Sequence, residues 1–316
     1  MARYIARRVL LAVPTLLLAS IAIFLLLRLI PGDPATIVAG GDATPEQVAA
    51  VRHDLGLDQS LIVQYFTWLN RALHGNFGLS LIGKYPVWDQ IARAYPATLE
   101  LTAAALLLAL ILAVPTGIVA ALRPRSWIDR AIGALNAFAI GIPNFLLGIL
   151  LILAFALTVP ILPVGGRVAV TEDPGAGLKT LALPAITLAI GVAAVLSRFI
   201  RGAMLEVLGE DFVRTARAKG LGERAVVSRH ALRNALIPVV TVLGLQIGRL
   251  LGGAVIVEAV FAWPGMGRLA VQAILTRDYT IVQATLLLLV TAFVVINLLV
   301  DIAYGLIDPR VRVRTA

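Results

Sequence analysis

The chain has 316 residues, of which 59% are hydrophobic and only 14% are charged. A soluble domain usually carries about 25% charged residues, so this composition indicates a protein of the lipid bilayer. The chain contains no cysteine, which excludes disulfides, thiolate metal ligands and cysteine nucleophiles. Its three histidines, His53, His74 and His230, lie too far apart in sequence for a local metal motif. We expect no catalytic, cofactor or metal site in the chain.

Six apolar runs are long enough to cross a bilayer, which takes about 20 mostly apolar residues. They cover residues 9–27, 101–122, 131–162, 180–197, 234–257 and 280–300. The third run is overlong and contains Pro143, so we expect a single span with an irregular end inside it. The alternative, buried core helices of a soluble protein, does not explain so many long apolar runs in one chain. The first run follows a basic N-terminus as in a signal peptide, but it is long and lacks a cleavage site, which predicts a retained helix.

Residues 31–95 connect the first two runs and are too long for a simple loop. Residues 44–47 (TPEQ) form a capping box with proline at the first helical position, which predicts a helix that runs to about residue 54 and ends at Gly56. A second helix is predicted over residues 60–73. Its apolar face would carry Leu61, Tyr65, Trp68 and Leu69. The segment can pack as a lid on the membrane domain, provide a docking surface for an external partner, or do both.

Residues 78–84 (GLSLIGK) match most of a phosphate-binding P-loop. The next residue is Tyr85, so the serine or threonine hydroxyl that would bind magnesium is missing. The orientation given below also places this segment outside the cell, away from ATP. We therefore reject a nucleotide site here.

The longest polar stretch in the second half of the chain is 211–240 (DFVRTARAKGLGERAVVSRHALRNALIPVV). Asp211 can cap a helix over residues 212–219, and Gly220 can end it in a left-handed conformation. A second helix is predicted over residues 223–236, with Pro238 at the entry to the fifth span. The short basic helix can lie in the groove of another protein or on anionic lipid, and charge alone favours lipid.

Polar residues inside membrane spans are candidates for function. The candidates here are Asn144, Gln246, Arg249, Glu258 and Asn297. Arg249 and Glu258 are nine residues apart, about 13 Å along one helix, so we do not expect them to pair. Hydrogen bonding between spans is the alternative role, and it is the favoured one for Asn144 and Asn297. For the other three the two roles stand equal, because the fifth span directly follows the basic stretch.

The basic residues predict the orientation, since cytoplasmic loops carry an excess of Lys and Arg. Seventeen lie before the first span, between the second and third, between the fourth and fifth, and after the sixth, against eight in the opposite loops. Both termini and the basic stretch are therefore predicted to be cytoplasmic. Topology accounts for the positive charge, and no nucleic acid partner is needed.

Two segments of the basic stretch resemble the cytoplasmic coupling loop of ABC importer permeases: 214–220 (RTARAKG) and 229–238 (RHALRNALIP). The broad pattern of that family begins Glu-Ala-Ala, with glycine six residues after the Glu. Here Arg214 and Thr215 replace the first two residues, as is typical of the branch that imports peptides and nickel. The family's Glu-based contact therefore cannot be carried over, whereas Ala216 and Gly220 can.

The resemblance extends over nearly the whole chain. Further matching segments are 55–59 (LGLDQ), 64–65 (QY), 96–101 (PATLEL), 261–267 (FAWPGMG), 277–279 (RDY) and 308–310 (DPR). Each segment alone is a weak signal, and together they are specific. The chain is thereby identified as a member of the dipeptide, oligopeptide and nickel branch of ABC importer permeases.

The resemblance implies an all-α membrane protein of the type I ABC importer permease fold, with six transmembrane helices and a small helical outer segment. Residues 1–30 would form the first transmembrane helix, 31–95 the extracytoplasmic segment, 96–305 the five-helix core with the coupling loop at 201–233, and 306–316 a cytoplasmic tail. The implied residues of ATPase coupling are Asp211, Arg214, Thr215, Ala216, Arg217, Lys219, Gly220 and Leu221.

The implied function is that of a bacterial inner-membrane permease subunit with no ATPase site of its own. Its partners would be a sister permease, two ABC ATPases that bind ATP and magnesium, and an extracytoplasmic solute-binding protein. The cargo would be peptides, with chelated nickel or glutathione as alternatives in the same family. An ATP-independent secondary transporter is the alternative of another class, and it usually shows a paired intramembrane charge or broken helices in repeated halves. We find no duplicated half in this sequence.

Overall fold

The computed structural model describes residues 2–29, 33–40 and 42–307. Within these ranges the regular structure is helical, and the only β-type pairing is an isolated bridge between Leu79 and Pro86. The helices are α1 (Ala2–Leu29), α2 (Pro34–Ala39), α3 (Pro45–Asp54), α4 (Leu61–Leu73), α5 (Val87–Leu122), α6 (Trp127–Gly141), α7 (Asn144–Ile152), α8 (Pro174–Leu208), α9 (Asp211–Ala218), α10 (Glu223–Ala225), α11 (Leu232–Val260), α12 (Met266–Leu275) and α13 (Tyr279–Ile307). Residues 31–32, the 308–310 segment and the predicted tail from residue 308 onward lie outside the described residues, whereas residues 306 and 307 belong to α13.

Five helices in the described ranges are long and apolar enough to cross a membrane. They are Ile5–Leu26, Val87–Leu122, Pro174–Leu208, Pro238–Val260 and Tyr279–Ile302. A sixth span forms if α6 and α7, which meet at 101°, are counted as one broken span. This number confirms the predicted six-span helical membrane fold.

The third predicted span ends irregularly, as predicted, and is also broken in its middle, which the sequence did not predict. Ile142, the residue before Pro143, has extended backbone angles (φ −82°, ψ 126°). The ring of a proline disfavours the helical conformation of the preceding residue, and α6 therefore ends at Gly141. The helix resumes at Asn144 and continues beyond α7 as a π-helical turn over Leu153–Thr158.

The helix before the fifth predicted span also differs from expectation. The chain continues from α10 through a π-helical turn, Val226–Ala231, into α11, and Pro238 lies inside α11. The predicted end of a helix at residue 236 was wrong, since α11 continues through this proline, whereas the fifth span does begin at Pro238 as predicted. A proline removes one backbone hydrogen bond, but neighbouring groups can compensate for that loss in membrane helices.

The chain divides into two compact units. The first comprises residues 1–9, 99–263 and 295–316. In it, α8 contacts α6, α7 and α11. Helix α8 also approaches α5 so closely that a Cβ on Gly117 of α5 would lie 2.8 Å from the Ser197 carbonyl oxygen of α8. The Ser197 hydroxyl accepts hydrogen bonds from Thr116 (3.0 Å) and Asn136 (3.2 Å), which fixes α5 and α6 against α8.

The second unit comprises residues 10–98 and 264–294. The predicted capping box at Thr44 is present, with both hydrogen bonds formed, and α3 and α4 have the predicted extents within one residue. On α4, Tyr65 hydrogen-bonds Ser20 of α1 at 2.8 Å, and Tyr65 and Trp68 pack against Phe24. Of the four residues on the predicted apolar face, Tyr65, Trp68 and Leu69 are partly buried and Leu61 is exposed.

The segment that resembles a P-loop forms turns, with no strand before it. The Ser80 hydroxyl donates to the buried carboxylate of Asp278, whose other oxygen accepts from the Leu81 N–H at 3.3 Å. Ser80 thus joins this segment to the 277–279 segment within the second unit. Residues 78–84 therefore have a structural role.

Candidate coupling segment and membrane cavity

The short basic helix α9 begins one residue earlier than predicted. Glu210 is the N-cap residue, with extended backbone angles and no capping by its side chain. The prediction that Asp211 caps the helix was wrong, because Asp211 has already entered it. Its carboxylate still lies in the first turn, where the helix dipole favours a negative charge.

Gly220 ends the short helix as predicted. Its φ angle is +79°, in the left-handed region, and its N–H donates to the carbonyl of Arg217 at 2.9 Å. A Cβ added at Gly220 would meet no atom within 4 Å. The need for glycine at this position is therefore conformational, since other residues lose about 1–2 kcal/mol in the left-handed region.

One face of α9 is packed against its own chain. Val213 and Ala216 form a small apolar cluster with Val226, and Val207 and Leu208 at the end of α8 pack against it. Ala216 is only 6% exposed, so this predicted coupling residue holds α9 in place. The other predicted coupling residues are exposed: Asp211, Arg214, Thr215, Arg217, Lys219, Gly220 and Leu221.

An ion pair crosses the turn at Gly220. The Arg217 Nε donates to Glu223 at 2.7 Å and Nη2 donates to the other carboxylate oxygen at 3.3 Å. This hydrogen bond lowers the pKa of Glu223 and raises the pKa of Arg217. Sequence reasoning missed Glu223, although its charge and its place after the glycine turn were a usable signal. The pair connects α9 to α10.

A second ion pair joins the start of α6 to the end of α8. Arg201 donates to both oxygens of Asp129, at 2.6 and 2.7 Å, and Asp129 also accepts from the Arg125 N–H at 2.9 Å. Asp129 is 8% exposed. Such two-point guanidinium pairs have a defined geometry. In sequence Arg201 had appeared only as one of many basic residues.

Two of the segments that carry the family resemblance have packing roles. Glu100 of 96–101 accepts from Arg167 at 2.7 Å and from the Val170 N–H at 3.1 Å. Phe261 and Trp263 of 261–267 are almost fully buried. The loop that follows α7 is thereby held against α5 and α11 in the first unit.

A cavity of about 160 Å³ lies among α6, α7, α8 and α11. Three of the five predicted path residues line it, namely Asn144, Gln246 and Arg249. Glu258 is fully buried and Asn297 lies on α13, and neither lines this cavity. Both of these residues have interaction partners. The structure thus separates the five candidates into a cavity group and two partnered residues.

A larger groove of about 550 Å³ continues from this cavity, since Ile140 and Val195 line both. It carries the charged side chains Arg198 and Glu206 of α8 and reaches Pro238 of α11. Together the cavity and the groove form a continuous hollow along α8 that is lined in part by polar side chains. Concave space lined by polar groups inside membrane helices is where ligand and ion paths are built.

Six helical spans, a broken helix beside a polar cavity and a small basic helix seated between two spans define a membrane-embedded transport subunit. A structure described as inward-facing conformations of the MetNI methionine ABC transporter shares the fold, with a TM-score of 0.58 and 21% identity over 69% of this chain and 96% of that chain.

Two family models match the chain. Residues 113–313 match the binding-protein-dependent transport system inner membrane component, and residues 1–102 match the N-terminal membrane component of the same systems. The glutathione transport system permease protein GsiC of Escherichia coli K12 is 43% identical over 312 residues, 99% of each chain, as is that of Shigella dysenteriae serotype 1. The chain belongs to the binding-protein-dependent inner membrane components, the permease subunits of ABC importers.

Membership of this family gives the general function. The chain is a multi-pass inner-membrane protein and a transport subunit, and it works with ATPase and substrate-binding partners, which carry the ATP-hydrolysing site and the cargo-binding site respectively.

Proposed function

We propose that this chain forms half of the translocation path of a peptide importer and couples that path to partner ATPases through α9. The observation that carries the proposal is the two-sided character of α9. Its apolar face is seated on Val226 and the end of α8, and its polar face, with Arg214 and Lys219, is exposed. An exposed short helix held rigidly from behind suits the groove of another protein.

The structure offers a route by which a push on α9 reaches the membrane. The apolar cluster links α9 to α8, and the Arg217–Glu223 pair links it to α10, from which the chain continues into α11. Helix α8 has 35 residues, roughly 50 Å at the rise of a helix. Because α8 and α11 pack on each other and line the cavity, a displacement of α9 would change the shape of the path.

The assembly would contain this chain, a sister permease, two ABC ATPases and an extracytoplasmic solute-binding protein. ATP and magnesium would bind in the ATPases, and this chain would bind no cofactor. Both termini and α9 would be cytoplasmic, as the excess of basic residues on that side supports. The segment of α2, α3 and α4 would then face the solute-binding protein.

The proposed cargo is a peptide, with glutathione as the first compound to test. The support is the 43% identity over 99% of both chains to a glutathione transport permease. Dipeptides and longer peptides share the same backbone chemistry, and chelated nickel is the other cargo of this branch. In such systems the binding protein selects the cargo, so the chain's own contribution is the path.

Reconstitution in liposomes tests the proposal. The chain is co-expressed with its sister permease and ATPases, purified in mild detergent and supplied with the cognate binding protein loaded with labelled glutathione, dipeptide or tripeptide. We expect co-purification of the ATPases and uptake that requires ATP. Uptake by the permeases alone, driven by an ion gradient, would show a secondary transporter. ATP-dependent uptake of chelated nickel only would overturn the proposed cargo.

A further inference from the structure

The cavity beside the broken helix contains polar side chains that the fold leaves unpaired. Gln246 is only 4% exposed, and Asn144 is half-buried. In the described part of the chain, neither side-chain amide makes a hydrogen bond, and Arg249 makes neither a hydrogen bond nor an ion pair. Three polar groups from two helices thus converge on one space without satisfying one another.

Such an arrangement is costly inside a membrane helix. A guanidinium near the middle of a span costs about 2.5–3.5 kcal/mol on insertion scales, and buried amides normally find partners. Arg249 lies in the middle of the Pro238–Val260 span, and it is an exposed residue of this chain that borders the cavity. Fold stability does not account for its position, because the described residues provide no counter-charge for it.

The start of α7 adds a second source of positive electrostatic potential at the cavity. Asn144 is the first residue of α7, and no side chain caps the helix there. The N-terminus of a helix carries partial positive charge and unpaired N–H groups, which favour anions. Half-helices that begin inside a membrane are used in this way to bind anionic substrate groups in transporters.

We infer that this cavity is a subsite for the carboxylate end of a peptide-like cargo in transit. Arg249 would bind the carboxylate through its two-pronged guanidinium, for which that geometry is well suited. The amides of Asn144 and Gln246 each offer a donor and an acceptor, which match the N–H and C=O of an adjacent peptide bond. This inference rests on the proposed peptide importer.

The size of the cavity agrees with binding of one end of the cargo. Its volume of about 160 Å³ is below the roughly 300–1,000 Å³ of pockets that enclose a drug-sized ligand. A terminal residue and its carboxylate would enter, and the rest of the peptide would extend into the adjoining groove of about 550 Å³.

Gly253 provides room for the Asn144 side chain, and Gly191 borders it at ordinary contact distance. A Cβ on Gly253 of α11 would lie 3.1 Å from the Asn144 Nδ2 and 3.3 Å from Leu188. A Cβ on Gly191 of α8 would lie 4.0 Å from the Asn144 Oδ1. Gly252, the neighbour of Gly253, meets nothing within 4 Å, so Gly253→Ala and Gly252→Ala form a matched pair of which only the first displaces Asn144.

The test uses the complete transporter in liposomes with saturating loaded binding protein. The probes are trialanine with a free carboxylate and its C-terminal amide, each first checked for binding to the binding protein. Uptake, ATP hydrolysis and recovery of the sister permease are measured for the parent and for Arg249→Gln, Arg249→Lys, Gly253→Ala and Gly252→Ala.

We expect Arg249→Gln to lower uptake of the free acid by about 10- to 100-fold, the usual value of a charge-assisted hydrogen bond. Uptake of the amide, ATP hydrolysis and assembly should stay near the parent level. Arg249→Lys should recover part of the free-acid uptake, since it keeps the charge and loses the two-point geometry. Gly253→Ala should lower uptake, and Gly252→Ala should not.

Four results would overturn the inference. Free-acid uptake by Arg249→Gln at the parent level would remove the subsite. Loss of the sister permease from Arg249→Gln would assign Arg249 to an ion pair between permeases. If the binding protein rejects the amide, the comparison is between Arg249→Gln and Arg249→Lys with the free acid. Equal uptake of the free acid by these two variants would exclude a carboxylate contact, because only the lysine keeps the positive charge. A parent transporter that imports no peptide probe would refute the proposed cargo and this inference with it.

Discussion

The outer segment, α2 to α4, and the coupling segment, α9 and α10, both join membrane spans, yet they are stabilised differently. In the outer segment every helix has a side-chain cap, from Asp33, Thr44 or Ser60, and α4 packs aromatic rings on α1. In the coupling segment neither helix has a side-chain cap. There a three-residue apolar cluster and the surface ion pair between Arg217 and Glu223 hold α9 against neighbouring segments.

The difference shows how a segment suited to a partner differs from one stabilised within its own chain. An isolated helix shorter than about 12 residues is marginal in water. The stability of α9, which has eight residues, therefore depends on its packing against the apolar cluster. Small side chains such as Ala216 let it lie close to the chain while the long basic side chains remain exposed. The outer segment needs no partner to account for its order.

The largest expected effect concerns the sides of the membrane on which the two segments lie. Because the chain has no cysteine, single cysteines at the exposed positions Ala50 and Ala218 can report each side. An impermeant thiol reagent added to intact cells should label Ala50→Cys and leave Ala218→Cys unlabelled until the cells are opened. The reverse pattern would invert the proposed topology.

Gly220 tests whether the shape of the coupling segment matters. Gly220→Val should abolish ATP hydrolysis stimulated by the binding protein, because a β-branched residue disfavours φ +79° and the helix would extend past its end. Gly220→Asn should retain activity, since asparagine tolerates the left-handed region. Gly222→Val is the matched control, because Gly222 has an ordinary φ of −64°.

Parent-like ATP hydrolysis and uptake by Gly220→Val would mean that α9 lies on lipid and has no coupling role. Docking of the binding protein to the outer side should be unaffected in all three variants, which separates a coupling defect from misfolding.

The Arg217–Glu223 pair separates contact with a partner from support within the chain. The Arg217 side chain is 42% exposed and that of Glu223 is 63% exposed, and exposed ion pairs contribute little to stability. We expect Arg217→Glu to lower ATPase co-purification several-fold and Glu223→Gln to have little effect. The double exchange, Arg217→Glu with Glu223→Arg, should fail to restore binding. Full recovery would show that Arg217 acts by supporting the turn.

The smallest expected effect is a pH dependence confined to the outer segment. A hydrogen bond to Asp58 raises the pKa of His53, and that bond lowers the pKa of Asp58. A raised histidine pKa means that the stabilisation is present below its ordinary value of about 6.5 and is lost as pH rises through the folded pKa. The protection of amides near His53 from hydrogen exchange, relative to their intrinsic rates at each pH, should therefore fall between mildly acidic and alkaline pH.

The coupling segment should not show that change. Arg217 stays charged throughout, because its pKa is raised above an already high value, and the lowered pKa of Glu223 delays loss of the pair to strongly acidic pH. His53→Gln should remove the pH dependence of the outer segment. Equal pH dependence in both segments would point to a global opening of the protein and not to this local pair.

The sequence by itself determined the features that depend on neighbouring residues. Span lengths follow from runs of apolar residues, and the caps at Thr44 and Gly220 follow from local backbone chemistry. These predictions agree with α3, with the end of α9 and with the number of spans. The errors at Asp211 and at the predicted helix end before Pro238 were also local, because the rules for caps and prolines allow more than one outcome until neighbouring segments are in place.

Only the tertiary structure decided which side chains meet. Asn144, Gln246 and Arg249 line one cavity, although 102 residues separate the first two positions along the chain. The tertiary structure likewise decided that α6 and α7 form a helix broken by 101° and not a straight span. Because of this break, Asn144 begins a helix beside that cavity. The partners Glu223 and Asp129 became visible in the same way. Periodicity reports the face of each helix, but the contacts between faces depend on helix packing, which no single segment encodes.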